Sequence, residues 1–102
     1  MVRTYHGIAF DSQQIALFCQ RHGVTRLSLF GSILSESFES DSDIDVLVEF
    51  DPGMTPSLLD LGGMVAELTQ MFGRQVDLKT PGFLGERVLR HVQQHRQVQY
   101  AA

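Results

Sequence analysis

Three short stretches of this chain alternate apolar with polar residues, and each is bounded by turn signals. They are VTRLSLF at 24–30, DIDVLVEF at 43–50 and QVDLK at 75–79. Side chains point to opposite faces along a strand, so this period of two reads as three half-buried strands. One phase is apolar throughout: Leu27 and Leu29, then Ile44, Val46 and Val48, then Val76 and Leu78. The other phase carries Arg26, Ser28 and Phe30, then Asp43 and Asp45, then Gln75, Asp77 and Lys79. A sheet with one apolar face must bury it under helices, and if the three strands are neighbours the acids fall together on the open face.

The intervening segments supply those helices. Asp11 or Ser12 can cap a helix to about His22, with Gly23 as its stop, and Ile15, Phe18, Cys19 and His22 form one stripe. Thr55-Pro56 reads as a second start, a cap followed by proline in the first turn. Leu58, Leu61, Val65, Leu68 and Phe72 make its apolar face, and Gly73 ends it. Gly62-Gly63 costs that helix roughly 1 kcal/mol per glycine, which suggests close packing there. Thr80-Pro81 repeats the start signal for a helix through Leu84, Val88 and Val92 to about His95, and VQY at 98–100 reads as a last strand. The order α-β-β-α-β-α-β predicts an α/β (α+β) fold, a small mixed sheet with helices packed on one face.

Bulk properties narrow the class. A chain of 102 residues with 43% hydrophobic content suits one domain over 1–102. No apolar run approaches the ~20 residues of a membrane-spanning helix. The start MVRTYHGIAF has no signal-peptide pattern, and the single Cys19 falls in the apolar stripe, so the cytoplasm is the expected compartment. A net charge of −4 argues against strong binding to duplex nucleic acid. It leaves room for a nucleotide, because bound Mg²⁺ supplies positive charge.

Asp43 and Asp45 sit at i and i+2 on a strand, roughly 6.5–7 Å apart and pointing the same way. Carboxylates so placed repel unless a cation lies between them. Mg²⁺ takes carboxylate and phosphate oxygens, and paired ions ~3.5–4 Å apart bridge such acids. Asp77 on an adjacent strand adds a third carboxylate, able to bind metal or to take a proton from an attacking hydroxyl. Gly31-Ser32, at the end of a strand, lets backbone and a hydroxyl approach a phosphate. Each piece alone has a plainer reading. Two acids at a strand entry are often solvated turn residues, Gly-Ser is a turn signal, and Asp77 fits an exposed edge. His91 and His95, at i and i+4, have zinc spacing but fit a solvated helix end. Ser32 lacks the setting of an acyl-transfer nucleophile.

Gly31-Ser32, ten residues, then Asp43-Ile44-Asp45 resembles the GSx10DxD signature of the DNA polymerase beta superfamily of nucleotidyltransferases. DSDIDVLVEF and VDLKTP resemble its minimal nucleotidyltransferase branch, over residues of about 12 to 100. The resemblance implies a polymerase-beta-like mixed sheet, with Gly31 and Ser32 holding the triphosphate of ATP. It implies that Asp43, Asp45 and Asp77 bind Mg²⁺, two ions in all, with Asp77 also activating the acceptor. It implies an antitoxin that transfers AMP to a tyrosine of a HEPN-domain ribonuclease toxin, in a homo- or hetero-oligomer.

The family's arginine-glycine pair after Gly-Ser is replaced here by Ser35-Glu36. The loop 33–42 holds Glu36, Glu39 and Asp41 and no cation; Lys79 and Arg26 on the polar face are the candidates to compensate. A second reading is therefore an antitoxin that occludes its toxin without chemistry. A third, an RNA-tailing transferase, fits the acidic chain less well.

Overall fold

The structure is a computed structural model that describes residues 1–102. It opens with a hairpin absent from the sequence reading, β1 (Val2–Tyr5) and β2 (Ile8–Asp11). Its two-residue turn, His6-Gly7, has both φ angles positive, at 53° and 78°. Primed turns of this kind match the twist of paired strands.

Helix α1 (Ser12–His22) runs between the expected caps: the Asp11 carboxylate accepts from the Gln13 N–H, and Gly23 ends the helix at φ 71°. β3 (Val24–Phe30) leads into a single 3-10 turn at Gly31–Leu34 and then to β4 (Ile44–Phe50). Helix α2 (Leu58–Phe72) starts later than Thr55-Pro56. Ser57 and Asp60 form a capping box, each side chain bonding the other's backbone N–H, and this satisfies more free donors than a threonine-proline start. β5 (Val76–Lys79) follows, then a 3-10 turn at Pro81–Phe83, α3 (Glu86–His95) and β6 (Gln97–Ala101). Thr80-Pro81 thus starts only that short turn, and α3 begins five residues later.

The main sheet has the order β5-β4-β3-β6. β3 pairs antiparallel with β4 and β6, and β4 pairs parallel with β5, so the sheet is mixed. α1 and α2 seal one face. Ile15, Phe18 and Cys19 of α1 and Met64, Leu68 and Phe72 of α2 form one buried cluster with Leu27, Leu29, Ile44, Val46, Val48 and Val76. Burial pushes the Cys19 thiol up to about 12, as befits a core side chain. The α2 stripe differs from the expected one. Met64 takes its centre, Val65 is half-buried, and Leu58 is 79% exposed, lining a surface groove with Met54 and Phe83. Nothing lies where a Cβ on Gly62 or Gly63 would stand, so no close packing explains that pair.

The acids' face is covered at its middle. Ser28 and Leu47 lie opposite each other on this face and are fully buried. No helix is long and apolar enough to cross a membrane.

Candidate functional site

Strand register brings the predicted acids together. Asp45 lies opposite Phe30 on β3 and opposite Asp77 on β5, so the two carboxylates occupy neighbouring strands on one face. Such neighbours are about 4.8 Å apart in the sheet. Asp43 stands one residue before β4, exposed, in the same phase as Asp45.

The electrostatics reflect both burial and this crowding. The half-buried Asp45 carboxyl is pushed up to about 6, first by burial and then by the charges of Asp77 and Asp43, with Lys79 pulling the other way. This is a carboxylate short of positive charge. Lys79 is the nearest cation, its Nζ 3.3 Å from Asp77 Oδ1. No three Asp, Glu, His or Cys side chains are yet gathered at metal-holding spacing, and Asp77 leans toward Lys79 instead. The expected help from Arg26 does not arrive. Its guanidinium is 3.8 Å from Glu49, which also accepts from Arg96 at 2.9 Å, four residues along β4 from Asp45.

Gly31 is the tightest point of the site. Its φ is +75°, and a Cβ there would stand 2.2 Å from Asp45 Oδ2. Only glycine leaves this corner open, between a strand end and an acid. Ser32 follows in the 3-10 turn, half-buried, and its carbonyl accepts from both the N–H and the hydroxyl of Ser35. Ser35, which stands in for the family's arginine, thus ties the turn rather than offering charge. The turn is too short for much of a helix dipole.

Beside Gly31 and Ser32 lies a cleft of about 1070 Å³, walled by the β1–β2 turn, the 3-10 turn and α3. His91 and His95 reach it with rings 4.3 Å apart, and His95 Nδ1 lies 2.9 Å from the His91 carbonyl.

The residues fit divalent metal. Asp43, Asp45 and Asp77 offer hard carboxylate oxygens at one end of the sheet, burial and then the charges of Asp77 and Asp43 hold the Asp45 pKa up, and Gly31 leaves open space against Asp45. One participant escaped the sequence reading. Arg74, between α2 and β5, donates from Nε to the Ser42 carbonyl at 2.9 Å and from its terminal nitrogen to the Glu39 carbonyl. Its guanidinium lies 4.6 Å from the centre of the Phe38 ring. The loop therefore does have a cation, contributed by a residue distant in sequence.

Known proteins resemble this chain closely enough to compare. A nucleotidyltransferase domain family matches residues 12–98. A protein of Methanocaldococcus jannaschii, described as a candidate protein adenylyltransferase, is 47% identical over 60 residues, 59% of this chain and 62% of that protein. The chain spans about three fifths of the length of the curated relatives it matches. A solved structure described as a candidate minimal nucleotidyltransferase is 31% identical with a TM-score of 0.71, covering 84% of this chain and 86% of that one. An MNT antitoxin in complex with a tri-AMPylated Shewanella oneidensis HEPN toxin matches at a TM-score of 0.65 and 17% identity, covering 89% and 70%. That last likeness is one of fold.

Proposed function

We propose, on the premise that this chain belongs to the nucleotidyltransferase domain family, that it transfers AMP from ATP to a hydroxyl on a protein partner and acts as an antitoxin. In this reading the acceptor is a tyrosine of a HEPN ribonuclease toxin, the setting is the cytoplasm, and residues 1–102 work as one nucleotidyltransferase domain. The observation that carries it is the row formed by Asp45 and Asp77, in register on adjacent strands, with Gly31 pressed against Asp45. The adenylyltransferase description of the archaeal relative and the AMPylated toxin beside the Shewanella antitoxin support the choice of reaction.

Each residue has a task. Gly31 exposes backbone N–H groups to the outer phosphates of ATP, and the Ser32 hydroxyl donates to one of their oxygens. Asp43 and Asp45 would hold Mg²⁺, and Asp77 would share a second ion. Bound there, Mg²⁺ would neutralise the triphosphate and the charge that builds on departing pyrophosphate. Asp77 accepts the proton of the acceptor hydroxyl. The freed oxygen bonds to the α-phosphorus in line, the bond from that phosphorus to its bridging oxygen breaks, and pyrophosphate leaves with the electron pair.

Asp77→Asn tests the reading, since it removes the charge and the base at almost constant volume. It should keep nucleotide binding and lower AMP transfer at least ~10²-fold. Intact-mass analysis of the partner after incubation with ATP should show added AMP with wild type and none with D77N. A wild type that silences its partner while leaving its mass unchanged would overturn the transferase and leave occlusion, the reading that Ser35-Glu36 and the acidic loop favour.

A further inference from the structure

We propose that Arg74 is a positioning residue that sets Asp43 for metal, an inference that rests on the nucleotidyltransferase reading above. Asp43 is the least supported member of the acidic group. It is exposed, and it precedes β4 rather than lying within it. Its place is therefore fixed by the residues on either side, Ser42 and Ile44.

Both neighbours are gripped by one short segment. The Arg74 Nε donates to the Ser42 carbonyl at 2.9 Å, and the Ile44 N–H donates to the Gln75 carbonyl at 2.9 Å. Residues 74 and 75 thus hold Asp43 from before and after. The same segment continues two residues on to Asp77, so the grip also fixes the spacing between the two acids.

Upstream of Asp43 the chain is folded into a tight turn. The Ser42 N–H donates to the Glu39 carbonyl at 3.1 Å, and the Glu39 N–H donates to the Ser42 hydroxyl at 2.9 Å. Arg74 spans this turn, bonding the carbonyls at both ends while its flat face rests on Phe38. Phe38 in turn stacks on His6 of the first hairpin at 4.8 Å. A planar fork that meets two carbonyls and an aromatic face together is arginine chemistry, and a lysine has no such geometry. Groups that hold a metal ligand in place, without touching the metal, typically change metal affinity 10- to 100-fold when removed.

The test titrates Mg²⁺ into protein saturated with AMP-PNP, read by calorimetry, well below the melting temperature. Arg74→Ala should raise the Mg²⁺ concentration for half-saturation about 10- to 100-fold. Arg74→Lys, which keeps the charge and loses the fork, should fail to restore it. A purely structural role would lower the melting temperature of the metal-free protein without moving Mg²⁺ half-saturation. Phe38→Leu removes the ring beneath the guanidinium and no backbone bond. It should weaken Mg²⁺ by a smaller factor, and it serves as the test if Arg74→Ala does not fold. Equal Mg²⁺ affinity in the wild type and the folded variants would overturn this inference alone. A wild type that takes up no Mg²⁺ with AMP-PNP would overturn the transferase reading and this inference with it.

Discussion

Gly31→Ala separates what the fold requires from what the chemistry requires. The added methyl meets two obstacles of different kinds. The backbone φ of +75° is left-handed, which costs a residue bearing a Cβ about 1–2 kcal/mol. For a domain of this size that is a fall in melting temperature of about 4–16 °C. The second obstacle is Asp45, whose Oδ2 would lie 2.2 Å and whose Cγ 3.1 Å from the new carbon. Turning the carboxylate about its own axis does not relieve the contact with Cγ, so the whole group must retreat, Oδ2 by about 1 Å. That movement costs little stability, because Asp45 ends in a short, half-buried side chain. It costs function heavily, because a displacement of about 1 Å in a reacting constellation can lower the rate ~10²-fold. The assay pairs thermal melting with AMP transfer measured by partner mass, for Gly31→Ala alone and in an Asp45→Ala background. Melting should fall by a similar amount in both backgrounds, since the φ cost does not depend on Asp45. Transfer should fall ~10²-fold in the single variant. Gly31→Ala with wild-type transfer would refute the view that Gly31 exists to admit Asp45 and phosphate together.

Three further outcomes follow from the same geometry. Asp45 has its folded pKa raised from 3.8 to about 6, so the folded state binds its proton more tightly than the unfolded chain does. Its contribution to stability is full below pH 4 and is lost as pH rises through 6, so metal-free Asp45→Asn should melt above wild type at pH 7, with the gap closing toward pH 4; a constant or reversed gap sinks this account. Mg²⁺ with ATP should relieve the same repulsion, adding roughly 2.7 kcal/mol at ~100 times the dissociation constant, and calorimetry without any Mg²⁺-dependent shift counts against the site. Glu36, Glu39 and Asp41 are exposed in the loop before β4, and reversing them to lysine should slow association with a basic partner at low salt, an effect that stopped-flow mixing would show fading as salt rises.

Much of this site was legible because strand geometry converts spacing into direction. Alternation in VTRLSLF, DIDVLVEF and QVDLK placed Asp43, Asp45 and Asp77 on one side, and the register of β4 with β5 brings the last two level. What was hidden depended on contacts between distant segments. Arg74 looks like any polar residue after a helix until tertiary folding delivers two carbonyls and the Phe38 ring to its guanidinium. Arg26 shows the reverse: its phase is right, but Glu49 directly opposite captures it. The first hairpin was missed because its turn is His-Gly rather than the stronger Asn-Gly signal. For α2, two start signals competed within three residues, and the reciprocal Ser57–Asp60 bonds won over Thr55-Pro56.

The third carboxylate is carried on the sheet's edge. β5 is four residues long and pairs on one side only, with β4, whereas Asp45 lies on a strand paired on both sides. Edge elements of this kind open at a smaller free energy than the global one. The proposed base is thus on the part of the sheet that can peel away first, while Asp45 stays anchored. On warming, or under mild denaturant, the capacity to bind nucleotide should outlast the capacity to transfer it. Amide exchange at residues 76–79 should report that loss before the helices unwind. The same asymmetry bears on the order of folding. β3 and β4 are adjacent in sequence and pair antiparallel, so the end that carries Gly31 and Asp45 can assemble from a local contact. The parallel β4–β5 pairing must wait for α2 to cross over. The proposed transfer activity, in that order of events, would be the last property the chain acquires and the first it gives up.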